Sequence, residues 1–199
     1  MDLMLRRREL LKMGGGLLPP GYRQLSYITG NGAYIDTGLM TSLPFTYECE
    51  MRWESFGTRQ SFGANGGSFF GVKADGMWQC GHAGTQSTGV QALTGQWYNV
   101  RFYKEDREQS TKPTYLEVDG IQIGSTKPTY TVNEICVFSS TRGANIATNA
   151  SVKWYKVWIG NTLERHFIPC INPNNVVGMY DIINRQFYGS ANSANFIGQ

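Results

Sequence analysis

The sequence predicts an all-β chain folded as a two-sheet sandwich behind a short N-terminal arm. One observation is alternation: Tyr98, Val100 and Phe102 fall on one side of a strand, with Trp97, Asn99, Arg101 and Tyr103 on the other. A period of two marks a strand buried on one face. Another is punctuation, since 24 glycines stand against 7 prolines among many Gly/Asn/Ser/Thr clusters, as short strands joined by tight turns require. The third is supply of core. With 199 residues, 41% hydrophobic and 13% aromatic, one medium domain can bury two sheets without metals or disulfides.

The elements follow in order. Residues 1–20 form a basic arm and Gly/Pro linker, and residues 21–199 the sandwich. In the arm, Leu3, Leu10 and Leu11 can share one face of a helix over 3–13, beside Arg6, Arg7 and Arg8 and ended by Gly14-Gly-Gly16. A helix this short is marginal alone in water, so the arm is either an unstructured tail or a helix ordered by a partner. Residues 25–28 and 33–37 read as strands around the turn Gly30-Asn-Gly32. Over 45–53 the alternation puts Phe45, Tyr47, Cys49, Met51 and Trp53 inward, with Thr46, Glu48, Glu50 and Arg52 outward. Residues 68–73 and 77–80 make a hairpin through Asp75-Gly76. Strands follow over 96–103, 114–118, 134–139, 152–159 and 164–171, and Asp119-Gly120 marks a tight turn because both residues tolerate positive φ. Ser110-Thr-Lys-Pro-Thr-Tyr115 recurs as Ser125-Thr-Lys-Pro-Thr-Tyr130, which implies two loops entering strands with one Pro-led geometry.

A tryptophan-led strand at Trp97, paired through a polar loop with a strand ending Val118-Asp-Gly120, resembles the laminin-G and concanavalin-A-like superfamily. That resemblance implies a jelly-roll-like sandwich that binds glycans or serves as a structural module. The ends are similar to a family common among tail, fibre and head-associated proteins of phages and prophages. They read Leu18-Pro-Pro-Gly-Tyr-Arg-Gln-Leu-Ser-Tyr-Ile28 and Ala33-Tyr-Ile-Asp-Thr-Gly38 at the start. At the close stand Leu163-Glu-Arg-His-Phe-Ile-Pro-Cys170, Val177-Gly-Met-Tyr-Asp-Ile-Ile-Asn184 and Gln186-Phe-Tyr-Gly189. His166 stands where that family usually has Asp, and Asn184-Arg185 replaces a common Asn-Gly turn. The resemblance implies a virion protein that meets other virion proteins and forms a homo-oligomer, commonly a trimer.

The net charge of +3 divides into +2 on residues 1–20 and +1 on the rest, where 14 basic residues face 13 acidic ones. A nearly neutral body gives no nucleic-acid face. No apolar run is long enough for membrane insertion. Arg7-Arg-Glu-Leu-Leu-Lys12 resembles a twin-arginine export signal, but only Met13 to Leu18 follows before Pro19-Pro20, so export is not expected. Cys49, Cys80, Cys136 and Cys170 are widely spaced, which predicts free thiols acting as small hydrophobes.

No catalytic device is expected. The acids in Glu48-Cys-Glu50-Met-Arg-Trp-Glu54 share a strand face, but the row lacks a central Asp and is interrupted by Arg52. A secreted glycoside hydrolase, the rival reading, would need Glu48 and Glu50. The two histidines, His82 and His166, are far apart, and no serine sits in a Gly-x-Ser-x-Gly elbow. Asp75, Asp106, Asp119 and Asp181 are scattered, so neither calcium nor any other metal or cofactor is expected. Glycan contacts remain, since tryptophan faces flanked by polar side chains stack on sugar rings. Trp78 beside Asp75 and His82 is one candidate, the pair Trp154 and Trp158 another, and Trp97 with Arg101 a third. Core packing is the competing role for each. The sequence therefore predicts a non-catalytic sandwich, displayed on a virion through its arm and binding host or mucosal surface glycans.

Overall fold

A computed structural model describes residues 17–57, 60–64, 68–81, 86–105, 113–126, 132–140, 146–147 and 149–199. The arm residues Leu3, Arg6, Arg7, Arg8, Leu10 and Leu11 lie outside them, as does His82. Among the described residues there is no helix. The first strands are β1 (Arg23–Gln24), β2 (Ile28–Thr29), β3 (Ile35–Met40), β4 (Phe45–Trp53), β5 (Gln60–Ala64) and β6 (Ser68–Val72). Next come β7 (Met77–Gly81), β8 (Gln86–Gln91), β9 (Trp97–Lys104), β10 (Thr114–Val118), β11 (Ile121–Thr126) and β12 (Glu134–Val137). The chain closes with β13 (Ala150–Ile159), β14 (Thr162–Ile171), β15 (Val177–Asp181), β16 (Gln186–Tyr188) and β17 (Ile197–Gly198).

These strands form two antiparallel sheets, which is the predicted sandwich. The larger runs β11-β10-β9-β4-β13-β14-β15-β16, with β1 beside β14 and β2 between β13 and β17; the smaller runs β3-β12-β5-β6-β7-β8. Alternation sets the facing of the larger sheet. Phe45, Tyr47, Cys49, Met51 and Trp53 of β4 are buried, together with Tyr98, Val100 and Phe102 of β9 and Val152, Tyr155 and Val157 of β13. Opposite them the smaller sheet places Phe62, Phe70, Val72 and Trp78. Phe62 stacks on Phe70 at 5.5 Å, and Trp53 meets Phe62 and Trp78 edge-on, each at 5.9 Å. Each large side chain so buried contributes roughly 1.5–3 kcal/mol.

Turn chemistry agrees with the sequence. Asp119 and Gly120 both have positive φ, 51° and 78°, and join β10 to β11 as a two-residue hairpin. The segment read as one strand over 25–28 is instead broken. Arg23 and Gln24 pair with β14, Leu25 donates to Pro169 O, and pairing resumes at Ile28 on β13. The smaller sheet departs most from a period of two, because β5 is buried at all five residues. Small residues permit this. A Cβ on Gly71 of β6 would lie 1.9 Å from Gln60 O, so only glycine allows that approach. Of the first Ser-Thr-Lys-Pro-Thr-Tyr copy, Thr114 and Tyr115 open β10; of the second, Ser125 and Thr126 end β11, and the rest of it lies outside the described residues.

One half of the larger sheet's outer face is covered by the chain itself. Ile168, Cys170 and Tyr180 form a second small apolar cluster on β14 and β15, roofed by Leu18, Tyr22, Ile182 and Phe187. On the opposite, core-facing side of the same strands the Asp181 carboxylate, in register with Phe167, is fully buried. It accepts N–H bonds from His166 and Ile183 (both 3.0 Å) and from the Asn184 amide (2.8 Å), and pairs with Arg165 at 3.5 Å. The Arg165 guanidinium also donates to Thr37 O at 3.2 Å, which links β14 of one sheet to β3 of the other.

Candidate functional site

The other half of that outer face is open, and strand register arranges it in rows. Lys156 of β13, Glu48 of β4, Arg101 of β9 and Glu117 of β10 lie side by side, so their charges alternate across four strands. Opposite charges facing each other across a ladder stabilise the sheet modestly. The next row is Trp158, Thr46, Tyr103 and Tyr115, and the row on the far side includes Trp154, Glu50 and Asn99. The charged row is thus flanked on one side by a largely aromatic row and on the other by Trp154.

The arginine in the charged row is held from below. Arg101 lies over the Tyr103 ring at 4.2 Å, and the Tyr103 hydroxyl donates to Glu117 at 2.7 Å. Burial, reinforced by that bond, pushes the Tyr103 phenol up to about 12. Arg101 approaches Glu48 at 3.7 Å and Glu117 at 3.6 Å, which is ion-pair range but longer than a hydrogen bond. Beside it a shallow depression of about 300 Å³ is lined by Thr46, Glu48, Arg101, Trp158, Gly160 and Asn161. The half-buried Trp158 offers an apolar flank, while its indole N–H is turned away from solvent and has no acceptor in the protein. The lining therefore combines an aromatic surface, a fixed guanidinium, a carboxylate, an amide and a hydroxyl.

Of the predicted glycan contacts, Trp154 and Trp158 do share the outer face of β13. Trp154 is partly occupied, donating to Glu50 at 3.3 Å and lying 4.8 Å from the Lys156 ammonium. Trp97 is on the same face, but Arg52 and Lys153 sit over its ring at 4.9 and 4.4 Å. Trp78 is corrected: it is 1% exposed, inside the sandwich, edge-on to Trp53 at 5.9 Å and Tyr98 at 5.4 Å. The Asp-Gly turn ends at Met77, so Trp78 already belongs to the pleat and its side chain points to the core. Asp75 is exposed and closes that turn, accepting the Met77 N–H at 3.0 Å. No sugar can stack on Trp78 beside it.

Glu48 and Glu50 do face outward together, each against a cation, Arg101 for one and Lys153 for the other. Among the described residues no three His, Cys, Asp or Glu side chains are grouped to hold a metal. The four cysteines are buried thiols outside any disulfide, and burial raises those of Cys80 and Cys170 to about 12. His166 lies opposite Lys156; burial first, then that ammonium, lowers its imidazole to about 4 against a partial counter-effect from Asp181. Sequence reasoning missed Thr46, Asn161, Tyr103 and Glu117. Outward alternation flagged Thr46, but only register shows which residues of four different strands meet.

No protein-family model and no curated protein matches the chain. Among solved structures 14 chains match. One is a 1.50 Å crystal structure of a "putative carbohydrate binding protein" from Bacteroides ovatus ATCC 8483, 14% identical with a TM-score of 0.60. The likeness covers 88% of this chain and 60% of that one, so this chain spans less than two thirds of that protein. Another match is a sialidase, 13% identical over 58% of this chain and 13% of its own, with a TM-score of 0.40. The first likeness shows the sandwich fold.

Proposed function

We propose that this chain is a non-catalytic carbohydrate-binding sandwich that takes its ligand at the Trp158 depression on the open half of the larger sheet. One observation carries the reading: the half-buried Trp158 flanks a depression that also holds Glu48 and a guanidinium lying over the Tyr103 ring. Sugar rings present apolar C–H faces for stacking and hydroxyls for hydrogen bonding, and this lining offers both. The name of the Bacteroides ovatus neighbour supports the same class of ligand. The test is an array of immobilised glycans. The protein is expected to bind a subset, and Trp158→Ala to lose at least tenfold in affinity; binding that survives this change would refute the site.

The non-catalytic part of the reading has its own check. The unaltered protein is expected to turn over glucans only at background, and Glu48→Gln with Glu50→Gln to leave that rate unchanged. Hydrolysis by the unaltered protein that this change abolishes would favour the glycoside hydrolase instead.

The setting we propose is a virion, with the concanavalin-A-like domain as the displayed part. The support is the resemblance of both ends to tail, fibre and head-associated proteins. In this reading residues 1–20 dock to other virion proteins through Leu3, Leu10, Leu11 and the arginines Arg6, Arg7 and Arg8, and the sandwich assembles as a homo-oligomer. Deleting residues 1–16 is expected to leave a soluble sandwich that no longer joins particles. Normal incorporation of the truncated protein would refute the docking role.

A further inference from the structure

The charge and hydrogen-bonding balance of the Trp158 depression narrows its ligand, given the carbohydrate reading above. We infer that it selects uncharged sugars, through a pair of neighbouring hydroxyls, and rejects chains carrying a carboxylate at that position.

The balance is set by the charged row. Lys156, Glu48, Arg101 and Glu117 alternate in sign across four strands, and Arg101 already faces a carboxylate on each side, at 3.7 and 3.6 Å. The depression takes its lining charges from Glu48 and Arg101, with Glu117 just behind. Among the described residues that line the depression, the one positive charge is matched by the one negative charge. A ligand carboxylate at hydrogen-bond range of Arg101 would enter the field of Glu48 and Glu117, where like charges at such distances repel.

Hydrogen-bond capacity gives the same answer. The Glu48 carboxylate only accepts; Arg101 only donates; Asn161 and Thr46 do both. A carboxylate, phosphate or sulfate only accepts, so it satisfies the donors and confronts Glu48. A hydroxyl does both. Two adjacent hydroxyls on one sugar ring can donate to Glu48 and accept from Arg101 together, because both side chains line one depression. The Arg101 contacts to its carboxylates exceed hydrogen-bond length, so its N–H groups can turn to a ligand without breaking a closed fork.

The experiment uses the full chain and two matched probes, a neutral galacto-oligosaccharide and the same chain ending in sialic acid. A parallel pair is a gluco-oligosaccharide and its glucuronic-acid-terminated form. The expected result is binding of a neutral chain and at least tenfold weaker binding of its acidic partner, with Glu48→Gln narrowing that ratio severalfold. Trp158→Ala is expected to abolish binding of both. Equal or tighter binding of the acidic chain, lost in Trp158→Ala, would overturn the selectivity while leaving the site intact. Binding of no chain, or binding indifferent to Trp158→Ala, would overturn the carbohydrate site and the selectivity together.

Discussion

The outer face of the larger sheet is divided between two halves that reach opposite ends from the same strand pattern. On β14 and β15 the outward side chains Ile168, Cys170 and Tyr180 are roofed by Leu18, Tyr22, Ile182 and Phe187. On β13, β4, β9 and β10 the outward side chains are Trp158, Trp154, Lys156, Glu48, Arg101 and Glu117, and the face stays open. A strand buried on both faces must be apolar or internally paired on both. A face left to water can carry charge, and the aromatics kept there have contacts still to make. The covered half serves the fold and the open half is the one equipped for a ligand.

The largest effect is expected beneath the covered half, on the core-facing side of β14 and β15. Asp181→Ala removes a fully buried carboxylate that partners Arg165, two backbone N–H groups and the Asn184 amide. It is expected to cost about 3–5 kcal/mol in chemical denaturation, because the guanidinium is left without its charge partner. A loss below about 1 kcal/mol would show that this half is not locked as described.

A smaller effect is expected at the seam between the halves, where His166 faces Lys156. Its imidazole titrates near 6.5 when unfolded and about 4 when folded, so the folded form prefers the neutral ring. Stability is therefore complete above about pH 6.5 and falls as pH drops toward 4, over which the unfolded chain binds the extra proton. The full shift corresponds to about 3 kcal/mol; water at this half-buried ring reduces it to roughly 1–2 kcal/mol. His166→Gln is expected to flatten that part of the pH profile in thermal melts, and an unchanged profile would reject the assignment.

On the open half the same kind of change should cost little. Glu48→Gln breaks a partly exposed ion pair with Arg101, so stability is expected to move by less than about 1 kcal/mol. A large loss there would mean that the row is structural. Least of all should change in thiol labelling: the four buried cysteines are expected to react only as fast as the protein unfolds.

The contrast also explains what was legible. Alternation alone oriented β4 and β9 correctly, and the two positive φ values at Asp119 and Gly120 follow from residue type. β5 escaped because Gln-Ser-Phe-Gly-Ala, buried on both faces, has no period of two. Trp78 was misread because the turn before it suggested a displayed loop, although its own place in β7 is inward. The closing motifs that carried the family resemblance hold Arg165 and Asp181, an ion pair linking strands, so the most recognisable stretch is architectural. The depression was half visible, through Trp158 and the outward Glu48. Its other members depend on register among β13, β4 and β9, and on the Gly160-Asn161 turn, which no local pattern specifies.

The most direct test follows the indole N–H signals of the five tryptophans by NMR during titration with a neutral oligosaccharide identified on the array. The account predicts that Trp158 shifts most, that Trp154 and Trp97 respond weakly, and that Trp53 and Trp78, buried in the core, stay still. A silent Trp158 alongside bound ligand would contradict it, because the sugar would then be sitting somewhere other than the open half of the sheet.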